Sequence, residues 1–60
     1  MENKLKKLRE ENKISQEKLA RIVNVSSKTI YRIEKTKNTD VQTALRIAKA
    51  LNSKVEDIFN

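Results

Sequence analysis

The residues best suited to chemistry lie one, three or four positions apart between positions 27 and 35. On a helix of 3.6 residues per turn they share one face, which covers an arc of about 140°. They are Ser27, Lys28, Tyr31, Arg32 and Lys35. Lys28 and Arg32 are able to donate hydrogen bonds to guanine O6 and N7, and a guanidinium group donates two in parallel. The face therefore suits the base edges and phosphates of a DNA major groove, although an ordinary solvated basic surface is the simpler alternative.

A short turn before residue 27 must orient the helix so that this face points away from the core. Apolar residues recur at helical spacing on both sides of this turn. They are Leu19, Ala20, Val23, Ile30 and Ile33. The connection consists only of Asn24 and Val25, and Ser26 follows as the next helix cap. Because so short a loop forces the second helix to leave at a steep angle, the segment predicts a helix-turn-helix. The corner of an ordinary helical bundle is the alternative.

The other apolar residues also recur at helical spacing, and the chain is predicted to form five short helices. The first helix runs from about residue 3 to residue 11 and carries Leu5 and Leu8. The longest stripe belongs to the fourth helix and consists of Val41, Ala44, Leu45, Ala48 and Leu51. The last helix carries Val55, Ile58 and Phe59. We expect an all-α fold in one domain, residues 1–60, with the helix-turn-helix at about residues 15–35.

Polar residues mark the expected helix ends. Ser15, Ser26 and Asp40 each precede an apolar stripe, where a side-chain oxygen is able to accept a hydrogen bond from a backbone N–H of the first turn. Ser53 and Glu56 have the spacing of a capping box. Because the chain contains no Gly, Asn is the best available residue for left-handed backbone. The expected helix exits are Asn12, Asn24 and Asn52.

Composition excludes most catalytic and metal-dependent functions. The 60 residues include 14 Lys and Arg against 8 Asp and Glu, and the net charge of +6 favours a polyanionic partner. The absence of Cys and His excludes zinc folds, disulfide scaffolds, thiol nucleophiles and imidazole bases, and the absence of Gly excludes phosphate-binding glycine loops. No apolar run exceeds two residues, so we expect no membrane segment. The expectation is a cytoplasmic binding domain without enzyme activity, cofactor or metal.

The segment SQEKLARIVNVSSKTIYRIE, from Ser15 to Glu34, resembles the helix-turn-helix of the lambda-repressor/Cro family, the Xre-like group of phage and bacterial regulators. The resemblance continues through TALRIAKALNSKVEDIF and covers nearly the whole chain. It implies a compact all-α domain of five helices and sequence-specific binding to double-stranded DNA, commonly as a two-fold dimer. We interpret such a protein as a repressor whose third helix enters the major groove of a palindromic operator.

The resemblance also implies roles for individual residues. Ser27, Lys28 and Arg32 match the base-reading positions of the third helix, and Tyr31 shares their face. Contacts to DNA phosphates are implied for Gln16, Ser26, Thr29, Lys35, Lys37 and Asn38. For Gln16, Lys37 and Asn38, the alternative is a polar side chain that simply faces solvent. Phosphate contacts set the register of a protein on DNA and its salt dependence, but they carry no sequence information.

A structural ion pair is implied as well. Arg9 and Glu34 match a buried pair found in many family members, and neither is expected to read DNA. The chain departs from the family at two frequent glycine positions, which are Asn24 and Thr36. Asn accepts left-handed backbone, whereas a β-branched residue is strained there, so we expect a different path for the loop after the third helix.

Paired operator half-sites and a small core both favour a homodimer. The candidates for its interface are Ile47, Val55, Ile58 and Phe59. For Ile58 and Phe59, a place in the core is the alternative. The alternative function is a protein-binding module, such as an antitoxin or an anti-repressor partner, in which the third helix need not be basic. A membrane-surface or coiled-coil peptide built on Leu5 and Leu8 would leave the turn and the caps unexplained.

Overall fold

Five helices form where the apolar stripes predict them. The structure, a computed structural model, describes residues 4–36 and 38–59. The helices are α1 (Leu5–Glu11), α2 (Gln16–Val23), α3 (Ser27–Thr36), α4 (Val41–Ala50) and α5 (Val55–Phe59). All regular structure in the two described ranges is helical, which confirms the predicted fold class. None of the helices in these ranges is long and apolar enough to cross a membrane.

The apolar sides of the helices meet in one core. The side chains that are at most 1% exposed are Leu5, Leu19, Val23, Ile30, Ile33, Ile47 and Ile58. α2 packs on α3 and α4, while α5 packs on α1 and α4. The domain extends 23 × 20 × 19 Å along its principal axes. α3 is therefore supported mainly by α2, the helix that precedes it at the corner.

Side-chain caps begin three of the helices. Ser15, Ser26 and Asp40 each accept a hydrogen bond from the backbone N–H three residues later, at 3.0–3.1 Å, which confirms the three predicted caps. The predicted capping box at Ser53 is wrong. α5 begins two residues after Ser53, whose hydroxyl instead donates to the Leu51 carbonyl at 3.1 Å.

Within the described residues, three helices end in left-handed backbone although the chain has no glycine. Asn24 and Asn52 have φ values of 62° and 52°, as predicted, but the exit of α1 uses Lys13, with φ 57°. After each of these residues, the next N–H donates to the carbonyl five residues before it, at 2.8–3.1 Å, which is the Schellman arrangement. Asn12 has φ −86° and contributes through its side-chain amide, which donates to the Leu8 carbonyl at 2.8 Å.

The buried face of α4 differs from the predicted stripe. Val41 and Leu45 are 76% and 57% exposed, whereas Ile47 is completely buried. The apolar residues of this helix, from Val41 to Ala50, cover an arc of about 220° at 100° per residue, which is wider than the part that faces the core. Ile47, and Ile58 in α5, have no exposed surface to offer a second copy of the chain. Neither residue is therefore able to contribute to the expected dimer interface.

Candidate nucleic-acid interface

The corner between α2 and α3 depends on backbone geometry and on a small side chain. Asn24 adopts φ 62° and ψ 47°, and the Val25 N–H donates to the Ala20 carbonyl at 2.9 Å. Ala20 is 3% exposed, and its small size lets the two helices approach closely. Val25 is half-buried and packs against the core. α3 therefore begins directly after the turn, at an angle that α2 and the core fix.

The outer side of α3 carries the residues that the sequence singles out. Ile30 and Ile33 anchor its inner side in the core. The exposed residues, which we call the α3 face, are Ser27, Lys28, Tyr31, Arg32 and Lys35. The Lys35 Nζ atom lies 5.5 Å from the centre of the Tyr31 ring, a cation–π distance. No carboxylate in the two described ranges forms an ion pair with the three cations of this face, so their charges are available to a ligand.

A buried network behind the α3 face joins α3 to α1 and α2. The Arg9 Nε atom donates to Glu34 Oε2 at 2.7 Å, and Arg9 Nη1 donates to the Ile14 carbonyl at 2.9 Å. Gln16 Nε2 donates to Oε1 of the same carboxylate at 3.0 Å. The Arg9 and Glu34 side chains are only 10% and 5% exposed, so the ion pair that the resemblance implies is present and buried. Gln16, expected to contact phosphate, uses one amide hydrogen inside the protein and keeps a second.

The residues expected to flank the α3 face differ in how much of their hydrogen bonding the fold already uses. Ser26 Oγ caps α3 and also lies 2.9 Å from the Thr29 hydroxyl oxygen. Thr36 remains helical, and its hydroxyl donates to a carbonyl one turn earlier at 2.8 Å. The exposed Asn38 donates its backbone N–H to the Thr36 hydroxyl oxygen at 3.2 Å. Lys37, another expected phosphate contact, lies outside the described residues.

A cleft of about 300 Å³ extends the α3 face toward α1. Its lining residues, which define the α1–α3 cleft, are Lys6, Lys7, Glu10, Gln16, Tyr31, Glu34 and Lys35. Tyr31 and Lys35 line both the cleft and the surface of the α3 face. The sequence analysis did not single out Lys6 and Lys7, because lysines on the exposed face of a helix are usually solvated. The available signal was the expected Arg9–Glu34 pair, which already places α1 beside α3.

A second concavity lies between α4 and α5. Its lining residues, which define the α4–α5 groove, are Leu45, Ala48, Lys49, Ser53, Lys54, Val55, Glu56 and Phe59. Leu45 is 57% exposed, and Val55 and Phe59 are half-buried. The groove thus contains two of the four expected interface residues, together with Leu45, which the sequence analysis assigned to the apolar stripe of the fourth helix.

Two acidic residues of the described ranges, Glu34 and Asp40, form side-chain hydrogen bonds that stabilise the fold. No group of three or more His, Cys, Asp or Glu residues there is placed to hold a metal ion. Hydrogen bonds from Thr43, through its side chain and then its backbone N–H, hold the pKa of Asp40 below its ordinary value of 3.8. The Asp40 carboxylate therefore stays ionised while it caps α4.

Known proteins match this chain over nearly its whole length. The model of a helix-turn-helix family matches residues 5–58. An uncharacterized HTH-type transcriptional regulator from Methanocaldococcus jannaschii is 45% identical over 98% of this chain and 91% of its own length. YgzD from Bacillus subtilis, also an uncharacterized HTH-type transcriptional regulator, is 43% identical with the same coverage. A similar regulator from Archaeoglobus fulgidus is 40% identical over 98% of this chain and 84% of its own length.

Proposed function

The chain belongs to the lambda-repressor/Cro-type, Xre-like helix-turn-helix family, and from that premise we propose that it is a sequence-specific repressor of transcription. In this proposal a homodimer binds a palindromic operator in double-stranded DNA, and each protomer inserts α3 into the major groove. The observation that supports it best is the α3 face, where three cations, a hydroxyl and an aromatic ring are exposed on one side of a rigidly held helix.

Base reading is assigned to the exposed residues of α3. Ser27 and Lys28 are its first two residues, and the first turn of a recognition helix is the part that contacts base edges. Arg32 lies one turn later, about 6 Å further along the helix axis, so it reaches a different base pair from Lys28. Its guanidinium is able to bind guanine O6 and N7 with two parallel hydrogen bonds. Tyr31 offers an aromatic surface to the bases or sugars between them.

Phosphate contacts around the α3 face set the register of the protein on the duplex. The residues proposed for these contacts are Gln16, Ser26, Thr29, Lys35, Lys37 and Asn38. Gln16 has a second amide hydrogen to donate, and the paired hydroxyls of Ser26 and Thr29 have one hydrogen that their mutual bond does not use. Lys35 adds a mobile charge at the end of α3.

A second copy of the chain is the occupant proposed for the α4–α5 groove. In a two-fold interface the same patch meets itself, so Leu45 and Phe59 of one copy pack on those of the other. The rim carries both signs of charge, and Glu56 of one copy is able to pair with Lys49 or Lys54 of the other. The contact also buries apolar surface, which stabilises a domain whose own core is small.

Repression is favoured over activation because a dimer on its operator excludes the transcription machinery by occupancy alone. Activation would need a further surface that recruits that machinery. The proposed function is therefore one of binding without catalysis, and it is exerted in the cytoplasm, where the DNA is located.

Selection from a randomised duplex pool, followed by sequencing of the bound fraction, tests the proposal. We expect enrichment of a palindromic site whose half-sites are one helical turn apart. Arg32→Ala should weaken binding by about 1–3 kcal/mol and relax the preference at one base position. Arg46→Ala, at an exposed position of α4, is the matched control and should change neither. Recovery without enrichment would contradict the proposal, and failure to bind any duplex would favour an antitoxin or anti-repressor module.

A further inference from the structure

We propose that the α1–α3 cleft binds a phosphate of the DNA backbone beside the base pairs that α3 reads. Lys6 and Lys7 of α1 then belong to the DNA interface. The inference rests on the proposed function, because it assumes that α3 occupies the major groove. It adds a helix to the contact surface, since the DNA contacts implied by the resemblance come from α2, α3 and the residues beside α3.

The cleft and the α3 face form one continuous surface. Tyr31 and Lys35 line both of them, and Tyr31 is 53% exposed. A duplex that covers Lys28 and Arg32 therefore also reaches the mouth of the cleft. The major groove is about 12 Å wide, which is close to the diameter of a helix with its side chains. Backbone phosphates must consequently lie directly along the flanks of α3, where the cleft opens.

The cleft has an excess of positive charge. Its charged residues are Lys6, Lys7, Glu10, Glu34 and Lys35. Glu34 is already neutralised by Arg9 at 2.7 Å. Neither Lys6 nor Lys7 forms an ion pair with any residue of the described part of the chain. The cleft therefore has three ammonium groups and, apart from the paired Glu34, one carboxylate, that of Glu10. This excess of positive charge favours the binding of a phosphodiester anion.

Gln16 supplies a hydrogen-bond donor of fixed direction inside the cleft. Its Nε2 atom carries two hydrogens, and one of them bonds Glu34 Oε1 at 3.0 Å. This bond holds the half-buried amide in place, and the second hydrogen has no acceptor within residues 4–36 and 38–59. A phosphate oxygen fits that position. The amide then gives the anion an orientation, while Lys6 and Lys7 give it charge.

A matched pair of charge variants separates this contact from general electrostatic attraction. Lys6→Gln combined with Lys7→Gln removes two charges from the cleft, and Lys18→Gln combined with Arg46→Gln removes two from exposed positions elsewhere. Binding to the selected operator is measured by fluorescence anisotropy across a salt series. We expect the cleft variant to bind about fivefold to tenfold more weakly at about 0.1 M salt and to lose about one to two units of the log–log salt slope. The control variant should retain most of the wild-type affinity and most of the wild-type salt slope.

Duplexes with single methylphosphonate substitutions locate the contact, because each substitution removes the charge of one phosphate. We expect at least one position beside the half-site where this change weakens the wild-type protein severalfold but hardly affects the cleft variant. Circular dichroism checks that each variant is folded, and the two single variants replace the double variant should it melt earlier than the wild type.

The outcomes distinguish this inference from the proposed function. Equal losses in the cleft variant and the control would overturn the cleft contact while leaving operator binding intact. The cleft contact with DNA would also be overturned if inorganic phosphate shifted the NMR signals of backbone amides in the cleft while the cleft variant bound the operator as tightly as the wild type. A wild-type protein that binds no duplex would overturn both proposals.

Discussion

Removing one partner of the Arg9–Glu34 pair should strongly destabilise the domain. Glu34→Leu leaves the Arg9 guanidinium, only 10% exposed, with the Ile14 carbonyl as its remaining acceptor, and it deprives the Gln16 amide of its partner. Breaking a buried ion pair on one side costs about 3–5 kcal/mol. At about 0.05–0.15 kcal/mol per residue, the whole domain has an unfolding free energy of about 3–9 kcal/mol. The substitution therefore removes at least about a third of it.

The assay is a double-mutant cycle in urea, followed by the helical circular dichroism signal. Arg9→Met and Glu34→Leu should each lower the unfolding free energy by about 3–5 kcal/mol. The double variant replaces both charges by apolar side chains, so it should recover most of the lost stability. Glu11→Leu, at an exposed position of α1, controls for the loss of a carboxylate and should change the stability by about 0.5 kcal/mol or less.

Two results would refute this reasoning. A loss below about 1 kcal/mol for Glu34→Leu would mean that water or a shift of α1 solvates the guanidinium at little cost. A double variant as unstable as the two single effects added together would mean that the hydrogen bonds, rather than the balance of charges, hold α3 against α1.

Three further predictions concern backbone strain, titration and assembly. Lys13→Gly removes a Cβ atom from left-handed backbone, so urea titration should show a gain of about 0.5–1 kcal/mol that Lys13→Ala does not give. Hydrogen bonds from Thr43 lower the pKa of Asp40 in the folded state, so this carboxylate stabilises the fold above its unfolded pKa of 3.8 and ceases to do so as the pH falls through the folded pKa. In Asp40→Asn, the melting temperature should therefore fall less steeply than in the wild type as the pH is lowered below about 4. An equally steep fall would contradict a stabilising role of the Asp40 carboxylate. Leu45→Lys should convert the proposed homodimer to a monomer in sedimentation experiments while the helical signal is kept, and a variant that still dimerises would exclude the α4–α5 groove as the interface.

Local patterns were sufficient to predict the helices and the corner. A capping side chain and the backbone N–H that donates to it lie three residues apart, and so do the two isoleucines that anchor α3. Such features are visible in a short window of sequence, which is why Ser15, Ser26 and Asp40 cap helices as predicted. The exposure of the α3 face follows from the same periodicity, because Ile30 and Ile33 fix which side of the helix is inside.

Features that depend on contacts between distant segments were not predictable in the same way. Ile47 and Leu45 both belong to the apolar arc of α4, and only the position of the neighbouring helices decides that the first is buried and the second exposed. The exit of α1 occurs at Lys13 rather than Asn12, and the next carbonyl, that of Ile14, accepts a hydrogen bond from the Arg9 side chain. Lys6 and Lys7 line the α1–α3 cleft because the Arg9–Glu34 pair holds α1 beside α3.

The width of the domain restricts where the two-fold axis of the proposed dimer is able to pass. Half-sites one turn apart are separated by about 34–36 Å, so each reading helix must lie about 17–18 Å from the axis. One protomer is only 19–23 Å across. The two-fold axis must therefore pass along the surface of the protomer that is farthest from α3. In the proposed dimer, an axis closer to α3 would place the two α3 helices less than one turn of DNA apart. The width of this small domain would therefore set the minimum spacing of the half-sites in the proposed operator.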